Sequence, residues 1–386
     1  MAATDLKIRC EREDLLAAIQ AADAVVPTTS AKPILTNLQI DANLTDGKQG
    51  RLEIIATDLQ VGLRSIIGRV EIERPGQAVV QARQLAGILK ESRSRSVTME
   101  LVRKEDQSQL TIVLADGDYQ IPAVVGESFP PVSFFPTDAP VVTVPANRLE
   151  EMIRQTVFAV DRDRTSAVLS GLYLAVNENE FILAATDGKV LCEAVEKGDA
   201  YKMPEATAVI VPAVTINHLH RILLATKPEK VDVAFAGKLI FLRIVTGAGA
   251  ALQVELTSRL VEGNYPPYRN ALPSKGTSNV VFDSSELASA VRRTALMTSN
   301  TSRGIVLTLN HDQAVLSNLN YTNGSARIPL PCTYQGAANK LGINALYLGE
   351  VLKVYKGPRI EVEISKGLIM REPGVTYLIM PISLPN

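Results

Sequence analysis

Two stretches decide the fold: FILAATDGKVLCEA from Phe181 and LEIIATDLQVGL from Leu52. Each reads as an apolar strand, the triplet Ala-Thr-Asp, and a second alternating strand. Thr57 and Thr186 stand 129 positions apart, and AVLSNLNYTNGSARI from Ala314 reads as a third copy, with Ser317 a further 131 positions on. In that copy Ala-Thr-Asp becomes Leu-Ser-Asn. Three copies in phase mark an internal repeat.

Helical patterns repeat with the same phase. One type places Leu15, Leu16, Ile19, Ala22 and Val26 on one face. Its second copy has Leu149, Met152, Ile153, Thr156, Val157 and Val160, and its third Leu287, Ala290, Val291, Thr294 and Ala295. Asp283, with Glu286 three residues later, predicts a capped start for the third copy. A second helix type appears in VQARQLAGILK from Val80, VPAVTINHLHRIL from Val211 and INALYLGEVLKVY from Ile343. Aligning Ala82, Ala213 and Ala345 superposes Leu85, Ile216 and Leu348, and then Ile88, Leu219 and Val351. Period-two alternation fills the space between helices, as in Val97, Met99 and Leu101 or Ile360, Val362 and Ile364. Proline-rich joints around residues 127–142 and 264–276 separate the thirds. The expected organisation is α+β, three repeated domains at 1–140, 141–276 and 277–386, each with two helices and antiparallel sheet.

With 386 residues, 46% of them hydrophobic, the chain has material for several cores. No apolar run is long enough to span a membrane and MAATDLKIRC lacks a secretory pattern, so a soluble intracellular protein is expected. Cys10, Cys192 and Cys332 form no CxxC and read as small core residues.

Charge is segregated. The second-type helices with their exits, residues 81–96, 211–228 and 343–359, carry +3, +2 and +2, so a chain of net charge −1 carries −8 elsewhere. Repeated cationic helices suit a line of phosphates held without reading bases. Solvated helix faces, with cations favoured at helix C-termini, give the competing account.

Catalytic patterns are poor. GxSxG, HExxH and Walker A motifs are absent, and Gly247 and Gly249 read as a hairpin turn. His218 and His220 point to different faces of one helix, and His311 reads as a turn residue. Asp58, Asp187 and Glu193 are the carboxylates that metal-assisted chemistry would use, but Asp58 and Asp187 occupy equivalent turns of different domains. No metal and no cofactor are expected.

The triplication, ATDG at 185–188, EGNYPPYRNALP at 262–273 and the ending TYLIMPISLPN at 376–386 closely resemble the bacterial sliding clamps, the beta subunits of DNA polymerase III, over the full length. The resemblance implies a non-catalytic DNA-clamp fold. Two copies join head to tail in a ring, helices line the hole around double-stranded DNA, and sheets form the outer wall. It implies a cytoplasmic, nucleoid-associated protein that gives the polymerase processivity, or a diverged paralogue serving repair or mobile-element replication. The implied partners are the DNA polymerase III alpha subunit, the clamp loader, and repair and translesion polymerases, through short apolar peptides. Carried over by residue, the peptide pocket comprises Leu169, Thr186, Gly188, Leu191, Pro266, Asn344, Tyr347, Leu378, Met380, Pro381 and Ile382. The implied dimer positions are Tyr119, Ile121, Leu296 and Met297. Candidate DNA-facing cations, from charge and helix placement, are Arg83, Lys90, Arg93, Arg221, Lys227, Lys353 and Lys356, with Arg162 and Arg164 from the loop after the second-domain helix. Lys189, Val190, Ser166, Asn270 and Ser383 depart from the family's usual residues and make the pocket less basic.

Overall fold

A computed structural model describes residues 6–45, 49–103, 108–124, 128–163, 165–198, 201, 206–246, 252–273, 276, 278–299, 303–319 and 324–384. The first third contains β1 (Lys7–Glu11), α1 (Arg12–Asp23), β2 (Asn37–Thr45), β3 (Gln49–Thr57), β4 (Val61–Ile67), β5 (Val70–Arg74), β6 (Gly76–Gln81), α2 (Ala82–Glu91), β7 (Ser96–Arg103), β8 (Ser108–Leu114) and β9 (Gly117–Val124). The middle third contains β10 (Val141–Pro145), α3 (Ala146–Thr156), β11 (Gly171–Asn177), β12 (Glu180–Thr186), β13 (Val190–Lys197), β14 (Thr207–Pro212), α4 (Ala213–Thr226), β15 (Lys230–Ala236), β16 (Leu239–Thr246) and β17 (Leu252–Arg259). The last third contains β18 (Ser278–Asp283), α5 (Ser284–Ala295), β19 (Gly304–Asn310), β20 (Gln313–Asn318), β21 (Arg327–Pro331), β22 (Thr333–Gln335), β23 (Asn339–Asn344), α6 (Ala345–Val354), β24 (Arg359–Ile364), β25 (Leu368–Glu372) and β26 (Val375–Ile379).

The three first-type helices start alike. The first N–H of each, on Arg12, Ala146 and Ser284, donates to a carbonyl just ahead of a strand, on Arg95 (2.9 Å), Glu229 (2.9 Å) and Pro358 (3.0 Å). Three otherwise orphaned helix donors are thus satisfied by the repeat itself. Asp283 caps α5 as its sequence predicts, accepting from the N–H groups of Ser285 and Glu286. Val26 and Val160, included in the helical pattern, fall beyond α1 and α3 but remain buried. Leu85, Ile216 and Leu348 are buried on the second-type helices, whereas Ile88 is only half-buried and Leu89 takes its place in the core.

Two compact units are present, and the middle third contributes to both. In the first, a 13-stranded antiparallel sheet runs β10-β15-β16-β17-β4-β3-β2-β6-β9-β8-β7-β1-β5. Its pivotal pairing is β4 with β17, which joins strands from different thirds in the register Gly62↔Thr257, Arg64↔Glu255, Ile66↔Gln253. Arg64 Nη2 lies 2.7 Å from Glu255 Oε2, with both side chains almost buried, and its guanidinium covers the Phe134 ring at 3.7 Å. In the second unit, a nine-stranded sheet runs β14-β11-β12-β13-β26-β25-β24-β18-β22, and a four-stranded sheet runs β21-β20-β19-β23. There β13 meets β26 in the matching manner, Leu191↔Leu378 and Glu193↔Thr376.

The third repeat copy needs a change of frame. Gly171 and Gly304 occupy one place, each paired with the residue that precedes a second-type helix, Pro212 and Asn344. Following the hairpins from these glycines puts Leu319, not Ser317, at the place of Thr186. Eight positions, 319–326, separate β20 from β21 in the chain, against three in the turns 58–60 and 187–189. The sequence alignment slipped by two because only the short turns carry the Ala-Thr-Asp lock. Cys332 also departs from expectation: Cys10 and Cys192 are buried, but Cys332 is half-buried. Cys10 shows what burial does, its thiol being pushed up to about 12 by desolvation and then by Asp14 and Glu11.

Glu255 is 5% exposed and holds Arg64 at hydrogen-bond distance, so Glu255→Ala leaves the nearly buried Arg64 with the more distant Glu53 (3.7 Å) as its carboxylate partner. A loss of about 3 kcal/mol on denaturant unfolding is expected. His218 on α4 is half-buried, and burial holds its pKa below the usual histidine value despite Asp58 and the Ala24 main chain, while Arg221 lowers it further. A folded-state pKa depressed in this way means the unfolded chain takes the proton first. Stability should therefore be full above about pH 6.5 and fall as the solution is acidified. Thermal unfolding at pH 7.5 and 5.5 should show a smaller acid loss for His218→Gln than for the parent.

Candidate functional site: the surface beside the Thr186 turn

The Ala-Thr-Asp triplet is a turn lock. Thr186 Oγ1 donates to the Val190 carbonyl (2.7 Å) and accepts from the Gly188 N–H (3.0 Å), while Asp187 Oδ1 accepts from the N–H groups of Lys189 (2.8 Å) and Val190 (2.9 Å). Thr57 and Asp58 repeat every one of these bonds, to Val61, Leu59, Gln60 and Val61. The turn needs a left-handed residue, supplied by Gly188 at φ +85° and by Leu59 at φ 74°. Both aspartates are thus engaged with main chain, which accounts for the paired carboxylates without catalysis. Glu193 is likewise engaged, by Tyr268 (2.7 Å) and Arg269 (2.6 Å).

The free oxygen of Asp187 gives the second turn an added role. Tyr347, on α6, donates its hydroxyl to Asp187 Oδ2, which ties the turn to the last helix of the unit. Burial and this bond push the Tyr347 phenol well above its ordinary value, so it stays a donor across the working pH range. Asn344 fixes the start of α6 by accepting from the Leu346 N–H at 2.9 Å.

Below the turn lies an apolar floor. Leu191 and Leu378 face one another across β13 and β26 and pack with Ala184, Ile369 and Tyr268. Beyond β26 the chain stays pinned to this floor: Met380 N–H donates to Lys189 O and Ile382 N–H to Gly342 O, each at 2.8 Å. Met380 is 38% exposed, Pro381 is exposed, and Leu169, Asn344, Tyr347 and Ile382 are half-buried. Thr186, Leu191 and Leu378 are buried, so they form the packed layer beneath this surface, and its accessible part is Met380 and Pro381 with the half-buried Leu169, Asn344, Tyr347 and Ile382. Pro266 lines a cavity of about 260 Å³ with Tyr173, Tyr265 and Tyr268, the tyrosines that pack with Leu191 and Leu378. Lys189, Asn270 and Ser383 are exposed and Ser166 half-exposed, whereas Val190 is buried, so its side chain is part of the core.

Sequence reasoning missed three tyrosines. Tyr173, Tyr265 and Tyr268 stack with ring centroids 5.3 to 6.1 Å apart, and the Tyr265 hydroxyl accepts from the Thr186 N–H at 3.1 Å. The signal was the pair of tyrosines bracketing Pro266 and Pro267.

The proposed DNA-facing cations are all on the surface where described. Arg83, Lys90 and Arg93 are exposed on and after α2, Arg221 and Lys227 on and after α4, Lys353 and Lys356 on and after α6, and Arg162 after α3; Arg164 lies outside the described residues. Several have local partners. Lys353 Nζ is 2.8 Å from Glu350, Lys356 Nζ is 2.6 Å from Glu151, and Arg83 is 3.8 Å from Asp23. The simple charge count omitted Glu151 and Asp23, which come from the other helix type.

Of the four dimer positions, Leu296 is 77% exposed and Tyr119 40% exposed. Met297 is half-buried. Ile121 is only 1% exposed, an interior residue of its own sheet, so Ile121→Asp would test folding, not association. Among the described residues, no helix is long and apolar enough to cross a membrane.

Removing Asp187 deletes the acceptor for two turn amides and for Tyr347. Asp187→Ala should cost about 1–3 kcal/mol in denaturant unfolding, and Tyr347→Phe about 1 kcal/mol.

Three comparisons bear on identity. The DNA polymerase III beta subunit matches in sequence as its N-terminal domain over residues 6–133, its central domain over 143–267 and its C-terminal domain over 269–383. The chain is 29% identical to the beta sliding clamp of Pseudomonas putida, across 97% of this chain and 99% of that protein. It is also 29% identical to the beta sliding clamp of Caulobacter vibrioides, across 98% of this chain and 100% of that protein. The crystal structure of the DNA polymerase III subunit beta from Pseudomonas aeruginosa superposes with a TM-score of 0.85 at 25% identity, covering 98% of this chain and 100% of that one. Three domains in order, over nearly the whole length, decide the matter: the chain belongs to the DNA polymerase III beta subunit family, the sliding clamps.

Proposed function

We propose that this chain is a bacterial sliding clamp that encircles duplex DNA as a head-to-tail ring of two copies and tethers the replicative polymerase, without catalysis of its own. The observation that carries this reading is the repetition of one element: in each third, an equivalent helix or its exit presents exposed cations, Arg83, Lys90 and Arg93, then Arg221 and Lys227, then Lys353 and Lys356. A line of phosphates is met by cations repeated around a hole, and no base is read. Lys353 and Lys356, with acid partners beside them, contribute less than Arg93 or Lys227. Domains at 1–140, 141–276 and 277–386 supply the repeat, and the working compartment is the cytoplasm.

Partner recognition is assigned to the surface beside the Thr186 turn. A short apolar peptide would rest its side chains on Met380, Pro381 and the half-buried Leu169, Tyr347 and Ile382, above the buried Leu191 and Leu378, with Met380 adjusting to admit it. The polymerase alpha subunit, the clamp loader and repair or translesion polymerases would compete for this surface. Exposed Lys189, Asn270 and Ser383 set a rim whose preference among those peptides is this chain's own. The same departures favour, as a second reading, a diverged paralogue that serves repair or mobile-element replication.

Loaded by ATP and extract onto a nicked circle, the protein should be retained in moderate salt and lost when the circle is cut. Equal loss from circular and linear DNA would remove the encirclement reading. Met380→Glu should abolish binding of an apolar partner peptide while leaving self-association unchanged. Lys227→Ala or Arg93→Ala should flatten the salt dependence of DNA binding by about one unit each.

A further inference from the structure

Among the described residues, two of the strands equivalent to those that join the repeats keep an open edge, and their residues match. Starting four residues past each helix-anchoring carbonyl, the cross-strand paths Met99↔Ile112↔Tyr119, Val233↔Leu242↔Leu256 and Val362↔Met370↔Tyr377 make β9, β17 and β26 equivalent. Asp118 therefore stands where Glu255 and Thr376 stand. On the other side, the paths Gln39↔Ile55↔Arg64, Tyr173↔Ala184↔Glu193 and Val306↔Ser317↔Arg327 make β4, β13 and β21 equivalent. Arg327 therefore stands where Arg64 and Glu193 stand.

Within the chain, β4 is taken by β17 and β13 by β26, with Arg64 opposite Glu255 and Glu193 opposite Thr376. Of the strands equivalent to these, the ones left over among the described residues are β21, bonded on one side, and the stretch of β9 before Ala123, which β6 leaves uncovered. A second copy is the occupant that the repeat prescribes, since a head-to-tail pairing repeats the same joint at both ends. Another position agrees. Twelve residues past the start of each first-type helix, Ala24 is 4% and Phe158 7% exposed, but Leu296 is 77% exposed.

Prolines fix which main-chain groups face outward. Pro329 and Pro331 cannot donate, so Ile328 and Leu330 carry the ladder to β20, and Arg327, Pro329 and Pro331 turn outward. Pro122 likewise leaves the bonds to β8 on Ile121 and Tyr119, and turns Asp118 and Gln120 outward. Resting on the head-to-tail reading above, we infer that Arg327 of one copy lies opposite Asp118 of the next as the intersubunit counterpart of the Arg64–Glu255 ion pair. Ser325 and Gln120 form the neighbouring rung, and Pro122 and Pro329 end the ladder on either side. Both charged residues are exposed in the single chain, and their signs are complementary only in this direction.

The test is sedimentation of four samples over a concentration series in 0.1 M salt, on the order of a 10 Å screening length: the parent, Asp118→Arg, Arg327→Asp, and an equimolar mixture of the two variants. Each variant alone places like charges at both joints and should dissociate at least about tenfold more readily than the parent. The mixture should regain the parent's affinity, because its mixed dimer has one native and one exchanged pair. Recovery also demonstrates that both variants fold. A dimeric parent with unchanged single variants, or weakened variants that do not rescue one another, would overturn the pairing. A parent that stays monomeric throughout would overturn the head-to-tail reading beneath it.

Discussion

Everything in this structure depends on main-chain pairing across a repeat boundary. A strand at the end of one repeat has donors and acceptors that its own sheet leaves over, and an unpaired edge exposed to water invites the wrong partner. Here β17 satisfies β4 and β26 satisfies β13, so successive repeats continue as one sheet. The side chains follow the main chain. Arg64 meets Glu255 because the ladder puts them opposite, and Leu191 meets Leu378 for the same reason. The apolar layer beneath the candidate surface is thus a by-product of the joint.

The helices inherit their placement from the same sheets. Each first-type helix begins with an N–H bound to a strand-leading carbonyl, so its position is fixed relative to that strand within a single residue. A buried threonine repeats this economy inside the helices, Thr156 donating to Met152 and Thr294 to Ala290. In the proposed reading, surface cations on the second-type helices need no such precision, since phosphates are met by charge density and tolerate small displacements.

Local pattern was legible in the sequence wherever chemistry is local. The Thr-Asp turns were visible because one hydroxyl and one carboxylate close a three-residue turn in any context. The second-type helices were visible because Leu85, Ile216 and Leu348 must reach a core. The third copy slipped by two residues because Asn318 there accepts from Ala326 N–H across a longer loop, and no spacing rule announces such a loop. Ile121, a dimer position implied by the resemblance, is interior in the single chain, and alternation could not foretell this because it gives the period of a strand but not which face is inside. The tyrosine cluster and the Asp187–Tyr347 bond join residues up to 160 positions apart, and composition carries no record of that distance. Lys356 looked free for the same reason, with Glu151 far away in the chain.

The Arg64–Glu255 pair has a consequence for behaviour in electrolyte. Its oxygen and nitrogens lie under Phe134 and against the Phe135 amide, out of reach of mobile ions, so added salt screens it little. Exposed cations on the helices have no such shelter. In the proposed reading, raising ionic strength therefore strips the protein of its polyanion long before it loosens the seam between its first two repeats, and the fold outlasts the attraction it serves.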